Sequence, residues 1–184
     1  MRHPLDFLPR TTRKPLFFLL LGLTASCFAV SLALNQPLRG AAAPAGQLSF
    51  ELAGPAGNMA AILDGWDENA RLQSAFNLGL GFLILPIFAA TLSLSTLLAA
   101  NRRQNDWGDL GILFGWGALA AGLLGMVENI ALFSILNNNM LSPAPQIAFW
   151  CAIAKYALIL LAVLYSFTGW LFPQRKSSQQ RAHE

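Results

Sequence analysis

Histidine is missing from the interior of this chain. The only two, His3 and His183, stand at its ends. No histidine pair can therefore hold a haem inside the long apolar stretches, as b-type cytochromes require. Cysteine is almost as scarce. Cys27 and Cys151 both fall within apolar runs, and no CxxC or Cys/His cluster exists. Structural zinc and thioredoxin-like chemistry are excluded on that ground, and both cysteines read as small buried hydrophobes. The chain also lacks a Gly-rich phosphate loop, a nucleophile elbow and an HExxH motif. No cofactor and no metal ion are expected. Charge is in short supply as well: 11% of the 184 residues are charged, against about 25% in an ordinary soluble domain.

What fills the chain instead is apolar. Hydrophobic residues make up 55% of it, and the mean hydropathy is +0.49. Four stretches, at about 15–34, 74–100, 110–136 and 146–172, reach the ~20 residues that a bilayer-crossing helix needs. The expected fold is all-α, a transmembrane four-helix bundle. Residues 1–14 form a basic head, 15–172 the membrane domain with an outer loop at 35–73, and 173–184 a polar tail. PLFFLLLGLTASCFAVSLAL follows a basic RTTRK, as a signal peptide would. Its apolar run of ~19 residues exceeds a typical signal core of about 7–15. Leu23 also stands four residues before Cys27, one too far for an ordinary lipoprotein cleavage box. The segment reads as a true span.

The net charge of +3 is a topology signal, and no nucleic-acid partner is expected from it. Arg2, Arg10, Arg13 and Lys14 precede span one, Arg102 and Arg103 separate spans two and three, and Arg175, Lys176 and Arg181 follow span four. The first outer loop sets Arg39 and Arg71 against Glu51, Asp64, Asp67 and Glu68, and NNNMLSPAPQ carries no charge. Positive residues mark the cytoplasmic side. Both termini are thus expected in the cytoplasm, with the chain in a bacterial cytoplasmic membrane. The bilayer, with its anionic head groups, is the natural partner.

The outer loop begins with NQPLRGAAAPAGQ, whose composition suggests irregular structure. Asn58 then offers a helix N-cap, and Met59, Ile62, Leu63, Trp66 and Ala70 follow at helical spacing. The pattern predicts a short amphipathic helix at the outer surface, with Trp66 at head-group level, running with a bend into span two. Span two holds Pro86 near its centre, where a kink is expected.

Each span has a face of small or polar residues. In span three Gly111, Gly115, Ala118, Gly122, Gly125 and Asn129 share a line, a spacing that lets membrane helices approach closely. Span four carries Ala148, Ala152, Lys155, Ala162 and Ser166. Span two carries Asn77, Gly81, Ile84, Phe88, Thr91 and Ser95, and span one a weaker Thr24, Cys27 and Ser31. Glu128 lies ~12 Å inside the outer end of span three, and Lys155 ~13 Å inside the same end of span four. Their depths match, so an ion pair is expected, with Asn77, Asn129 and Tyr156 able to join a network around it. Such a layer locks helix packing or serves as a ligand, proton or ion site. The pairing leaves little free for a ligand.

FELAGPAGNMAAILDGW, LGLGFL, AAGLLGMVENIALF and AIAKYALILLAVLY together resemble an uncharacterised family of bacterial four-span integral membrane proteins. The likeness covers roughly residues 48–165. It implies that Glu51, Trp66, Glu128, Asn129 and Lys155 belong to a shared pattern, and it supplies no activity. The family pattern leads one to expect aspartates where this chain has Gly81 and Gly125, so its polar layer is reduced to one acid facing one base. The expected function is a non-catalytic membrane protein, either an accessory subunit of a membrane complex or a small lipophile-binding module holding a lipid or quinone. The alternative is a membrane enzyme or transporter acting on a hydrophobic substrate through Glu128, Asn129 and Lys155.

Overall fold

The computed structural model describes residues 2–54, 58–101, 106–137 and 143–171. The proposed Asn58 cap, Arg102 and Arg103, most of the span three–four connector and the tail from residue 173 lie outside the described residues or side chains. Six helices follow in order: α1 (Arg10–Leu34), α2 (Gln47–Glu51), α3 (Asn58–Gly65), α4 (Glu68–Ala100), α5 (Asp106–Leu136) and α6 (Ala144–Leu171). No strand occurs among the described residues. Four of the helices, α1, α4, α5 and α6, are long and apolar enough to cross a membrane, which suggests a multi-pass membrane protein. α4 is the central element, packed against α1, α5 and α6, and α5 packs against α6.

The distribution of side chains is inverted relative to a water-soluble bundle. Thr91, Ser93, Ser95, Thr96, Glu128, Asn129, Lys155 and Ser166 are buried, whereas Leu19, Leu113, Leu123, Ile130, Leu164 and Phe167 are exposed. Water-soluble proteins do not leave apolar surface of this extent uncovered. Inside, the small residues set the helix spacing. A Cβ on Gly122 would come within 2.8 Å of Ala89 Cβ, and one on Gly125 would overlap Leu85 and the Lys155 stem. Ala148, Ala152 and Ala162 of α6 are fully buried in the same way. Hydroxyl pairs add polar links: Thr24 Oγ1 lies 3.0 Å from Thr91 Oγ1, and Ser31 donates to Asn77 Oδ1 at 2.7 Å.

Several local expectations are corrected. Span two starts earlier than residue 74 because Asp67 caps α4, its carboxylate accepting from the Ala70 N–H at 2.7 Å. α3 therefore ends before α4 begins, and the continuous bend is replaced by a capped break at Trp66 and Asp67. The Arg71 guanidinium stabilises the break by donating to the carbonyls of Leu63 (2.7 Å) and Trp66 (3.4 Å). Trp66 itself is folded under the first loop. Its indole is buried, donates to the Leu38 carbonyl at 3.0 Å and lies 5.1 Å from the Phe50 ring. The stretch read as irregular, residues 35–47, carries no helix as far as Gly46; α2 follows it, entered through Gly46 at φ +62°, where any Cβ would strike Asn35. Cys27 and Cys151 are half-buried free thiols, each short of the full burial expected of it. α4 runs through Pro86 without a break in helix.

His3 departs furthest from expectation. It does not trail from the end of the chain but inserts between α4 and α5. Its Nε2 lies 3.2 Å from Thr96 Oγ1, its Nδ1 accepts the Leu5 N–H at 3.1 Å, and Gly115 leaves the space for its ring. Thr96 Oγ1 already donates to the Ser93 carbonyl, so Nε2 is the donor and the ring is neutral. Arg13 secures the same segment through Asp6 Oδ1 and the carbonyls of Asp6 and Leu8, and the Trp116 indole donates to the Arg2 carbonyl. Burial pushes the His3 pKa down from 6.5 to about 4; Asp6 and the Ser93 backbone oppose the shift and Arg13 reinforces it. A lowered pKa means that the undocked segment binds the proton more tightly. The His3 contribution to docking is therefore fully present above pH 6.5 and is progressively lost as the pH falls from 6.5 towards 4. Hydrogen exchange of the Trp116 indole N–H should accelerate as the pH falls through that window, beyond the intrinsic pH dependence, and His3→Gln, which keeps a donor but cannot titrate, should remove the added acceleration.

Candidate functional site

Lys155 stands on the buried alanine face of α6 and reaches two carboxylates. Its Nζ lies 2.7 Å from Glu128 Oε2 on α5 and 3.2 Å from Glu51 Oε2 at the end of α2. Glu128 is entirely without solvent exposure, while the Glu51 side chain keeps 15%. Tyr156, next to Lys155 in sequence, donates its hydroxyl to the same Glu51 oxygen at 2.7 Å. The Lys155 ammonium also stands 4.5 Å from the Tyr156 ring centroid. One ammonium and one phenol thus hold together α2, α5 and α6.

The local backbone explains why Glu51 arrives there. Asn35, just past α1, accepts the Gln47 N–H at 2.7 Å and donates to the Ala45 carbonyl. Gln47 Oε1 accepts from Ser74 of α4 at 2.8 Å. α2 is therefore fixed to α1 and α4 at its start, and its last residue points at the α5–α6 pair. Phe50 and Trp66 pack beneath it in a cluster with Leu38, Ile62, Leu63, Leu132 and Ile135.

Of the groups able to join the ion pair, Tyr156 does so through Glu51 and the two amides do not. Asn129 donates to the Leu78 carbonyl on α4 at 3.1 Å, through the space that Gly81 leaves open. Asn77 accepts from Ser31. Neither bonds to the ion pair. Each is drawn instead to a polar group on the helix it faces, and they link α5 to α4 and α4 to α1. Trp66 lies in the cluster under α2 and makes no contribution to the hub except as packing. Glu51, read from sequence only as an outer-loop residue of the shared pattern, turns out to be the third charged member. Its value could be read from FELAG but its destination could not, because 104 residues separate it from Lys155.

A cavity of about 440 Å³ opens beside the hub, in the cleft that α1 and α6 form over α4. Its outer part is lined by Arg39, Gln47, Glu51, Asn77, Lys155 and Tyr156. Deeper, along the same helices, it is lined by Ile84, Leu85, Phe88, Ile159 and Phe28, with Phe28 and Phe88 meeting edge to face at 5.7 Å. Glu128 is sealed behind Lys155 and does not line it. The expectation that the pair leaves little free for a ligand is thereby revised: the pair is closed, but the cavity sits on its outer side, because Glu51 and Tyr156 extend the polar layer past it. No group of three or more His, Cys, Asp or Glu with metal-binding geometry occurs among the described residues.

Compared with protein-family models, curated proteins and solved structures, the chain matches none.

The hub makes the two partners of the ion pair unequal. Glu128→Gln leaves Lys155 facing Glu51 and should cost about 1–3 kcal/mol. Lys155→Met strands two carboxylates and should cost about 3–5 kcal/mol. Equilibrium unfolding in detergent should show this order, and the double variant should cost less than the sum.

Proposed function

We propose that this chain is a non-catalytic multi-pass protein of the bacterial cytoplasmic membrane that binds a small lipophile in the cleft between α1 and α6. The observation that carries the reading is the cavity: polar at one end, apolar at the other, and within the ~300–1,000 Å³ typical of ligand sites. Its polar end lies on the side of α2 and α3, and its apolar end runs towards the middle of α4. That is the orientation of an amphiphile with its head at the outer surface and its chain in the hydrocarbon.

The membrane assignment rests on four long apolar helices whose outward faces are apolar and whose contacts are polar or small. Arg2, Arg10, Arg13 and Lys14 beside α1 support a cytoplasmic N-terminus, and Arg102 and Arg103 support the same side for the α4–α5 connector. α2, α3 and the first loop then form an outer cap, with the exposed Asp64 on the water side of α3. In this reading Glu128 and Lys155 form an intramembrane lock for α5 and α6, and Glu51 ties the cap to them. Glu51, Lys155 and Tyr156 are engaged with one another, which favours a binding wall over acid–base chemistry.

The full chain, purified from native membranes, should carry a lipophile in near-stoichiometric amount by mass spectrometry. Ile159→Trp fills the apolar end and should lower that occupancy at least fivefold. Leu160→Trp adds the same bulk at an exposed position and should leave it unchanged. Equal occupancy in both variants, or a stoichiometric protein partner with no lipophile, would contradict the proposal.

A further inference from the structure

Two buried amides line the cavity, and each is only half used. Asn77 on α4 and Asn129 on α5 are 8% and 6% exposed. Asn129 commits Nδ2 to the Leu78 carbonyl, which can only accept, so its Oδ1 is left as an acceptor. Asn77 commits Oδ1 to the Ser31 hydroxyl and keeps Nδ2 as a donor. Among the described residues no hydrogen bond reaches either remaining atom. Both keep accessible surface, whereas Gln47 Nε2 on the same wall is sealed. The two amides come together because Asn129 lies over Gly81, one turn along α4 from Asn77. The charged groups of the wall are already engaged. Lys155 and Tyr156 both meet Glu51 at Oε2, and Arg39 is exposed to solvent on the first loop.

A ligand group that enters beside these amides must donate to Asn129 Oδ1 and accept from Asn77 Nδ2. A hydroxyl does both and carries no charge. A charged head brought to this depth loses its hydration and finds no unengaged counter-charge on the buried wall. A ketone or ester only accepts, and leaves the Asn129 oxygen unmet. Resting on the lipophile-binding reading, we propose that the ligand is a neutral amphiphile with a hydroxyl head. The hydroxyl lies between Asn129 Oδ1 and Asn77 Nδ2, and the chain runs along Leu85, Phe88 and Ile159. A fatty alcohol and a monoacylglycerol share this chemistry.

The test uses the full chain in nanodiscs of zwitterionic lipid, read as retained adduct by native mass spectrometry. The probes, at equal bilayer content, are hexadecanol, monopalmitoylglycerol, methyl palmitate, hexadecylamine and palmitic acid. In the wild type at least one hydroxyl probe should be retained about tenfold more than methyl palmitate, which cannot donate, and above both charged probes. The better-retained hydroxyl probe names the source. Asn129→Ala should bring the hydroxyl probes within twofold of methyl palmitate while leaving the ester's own retention within twofold. Asn77→Ala, which keeps the Leu78 link, should lower the hydroxyl advantage at least threefold, so the assignment is read even if Asn129→Ala fails to fold. Methyl palmitate or a charged probe retained as well as the hydroxyl probes, or a ranking unchanged in either variant, would overturn the head-group assignment alone. If Ile159→Trp leaves every probe's retention unchanged, the probes are not in the cavity, and the lipophile-binding reading fails with the assignment.

Discussion

Lys155 Nζ is a single ammonium in contact with two carboxylates from distant parts of the chain, and the arrangement of the other elements follows from that contact. Glu128 brings α5 to α6, and Glu51 brings α2 down onto both. Charges removed from water carry a desolvation cost of several kcal/mol each, so none of the three can be left without the others. The rest of the outer segment is arranged to deliver Glu51. Asn35 and Gln47 fix the start of α2, Gly46 makes the turn into it, and Trp66 and Phe50 fill the space below. The cavity is a consequence of the same arrangement. α1 packs on α4 but α6 turns its charged face towards α2, and the gap between α1 and α6 remains open.

The helices themselves are held by close approach more than by apolar area. In a setting where the outward faces are already among apolar neighbours, burying another leucine yields little, and small residues and hydrogen bonds decide the packing. Gly122 against Ala89, Gly125 against Leu85, and Gly111 against Ala100 bring α5 onto α4. Gly81 and Gly125 have a second role, since they leave room for the Asn129 amide and the Lys155 stem. The aspartates that the family pattern led one to expect at these two positions would collide with the groups that this chain places there. At the opposite end Gly115 admits His3, so the same stripe that joins two helices also receives the N-terminal segment.

The four long helices and their inward faces were legible in the sequence because both are local properties: run length, and recurrence every three or four residues. The matching depths of Glu128 and Lys155 were legible for the same reason, since the two helices are consecutive and joined by a short connector. What could not be read were contacts that depend on a long excursion of the chain. Glu51 reaches Lys155 across 104 residues and His3 reaches Thr96 across 93, and neither pairing leaves a periodic trace. Helical spacing shows which face Trp66 shares, but not that the preceding loop, with Leu38 and Phe50, covers that face. Depth, helix face and donor capacity show that Asn77 and Asn129 can join a network around the ion pair, but not that they do. Their amides bond instead to the Leu78 carbonyl and the Ser31 hydroxyl on adjacent helices.

The shared ammonium can be tested directly by solid-state NMR on the protein in lipid bilayers. The chain has only three lysines, Lys14, Lys155 and Lys176, so the Lys155 Nζ resonance can be assigned by one substitution. Dipolar recoupling between that nitrogen and carboxyl carbons should show two strong couplings, one removed by Glu128→Gln and the other by Glu51→Gln. A single coupling, lost in Glu128→Gln and untouched by Glu51→Gln, would mean that the outer segment is not tied to the bundle through Lys155.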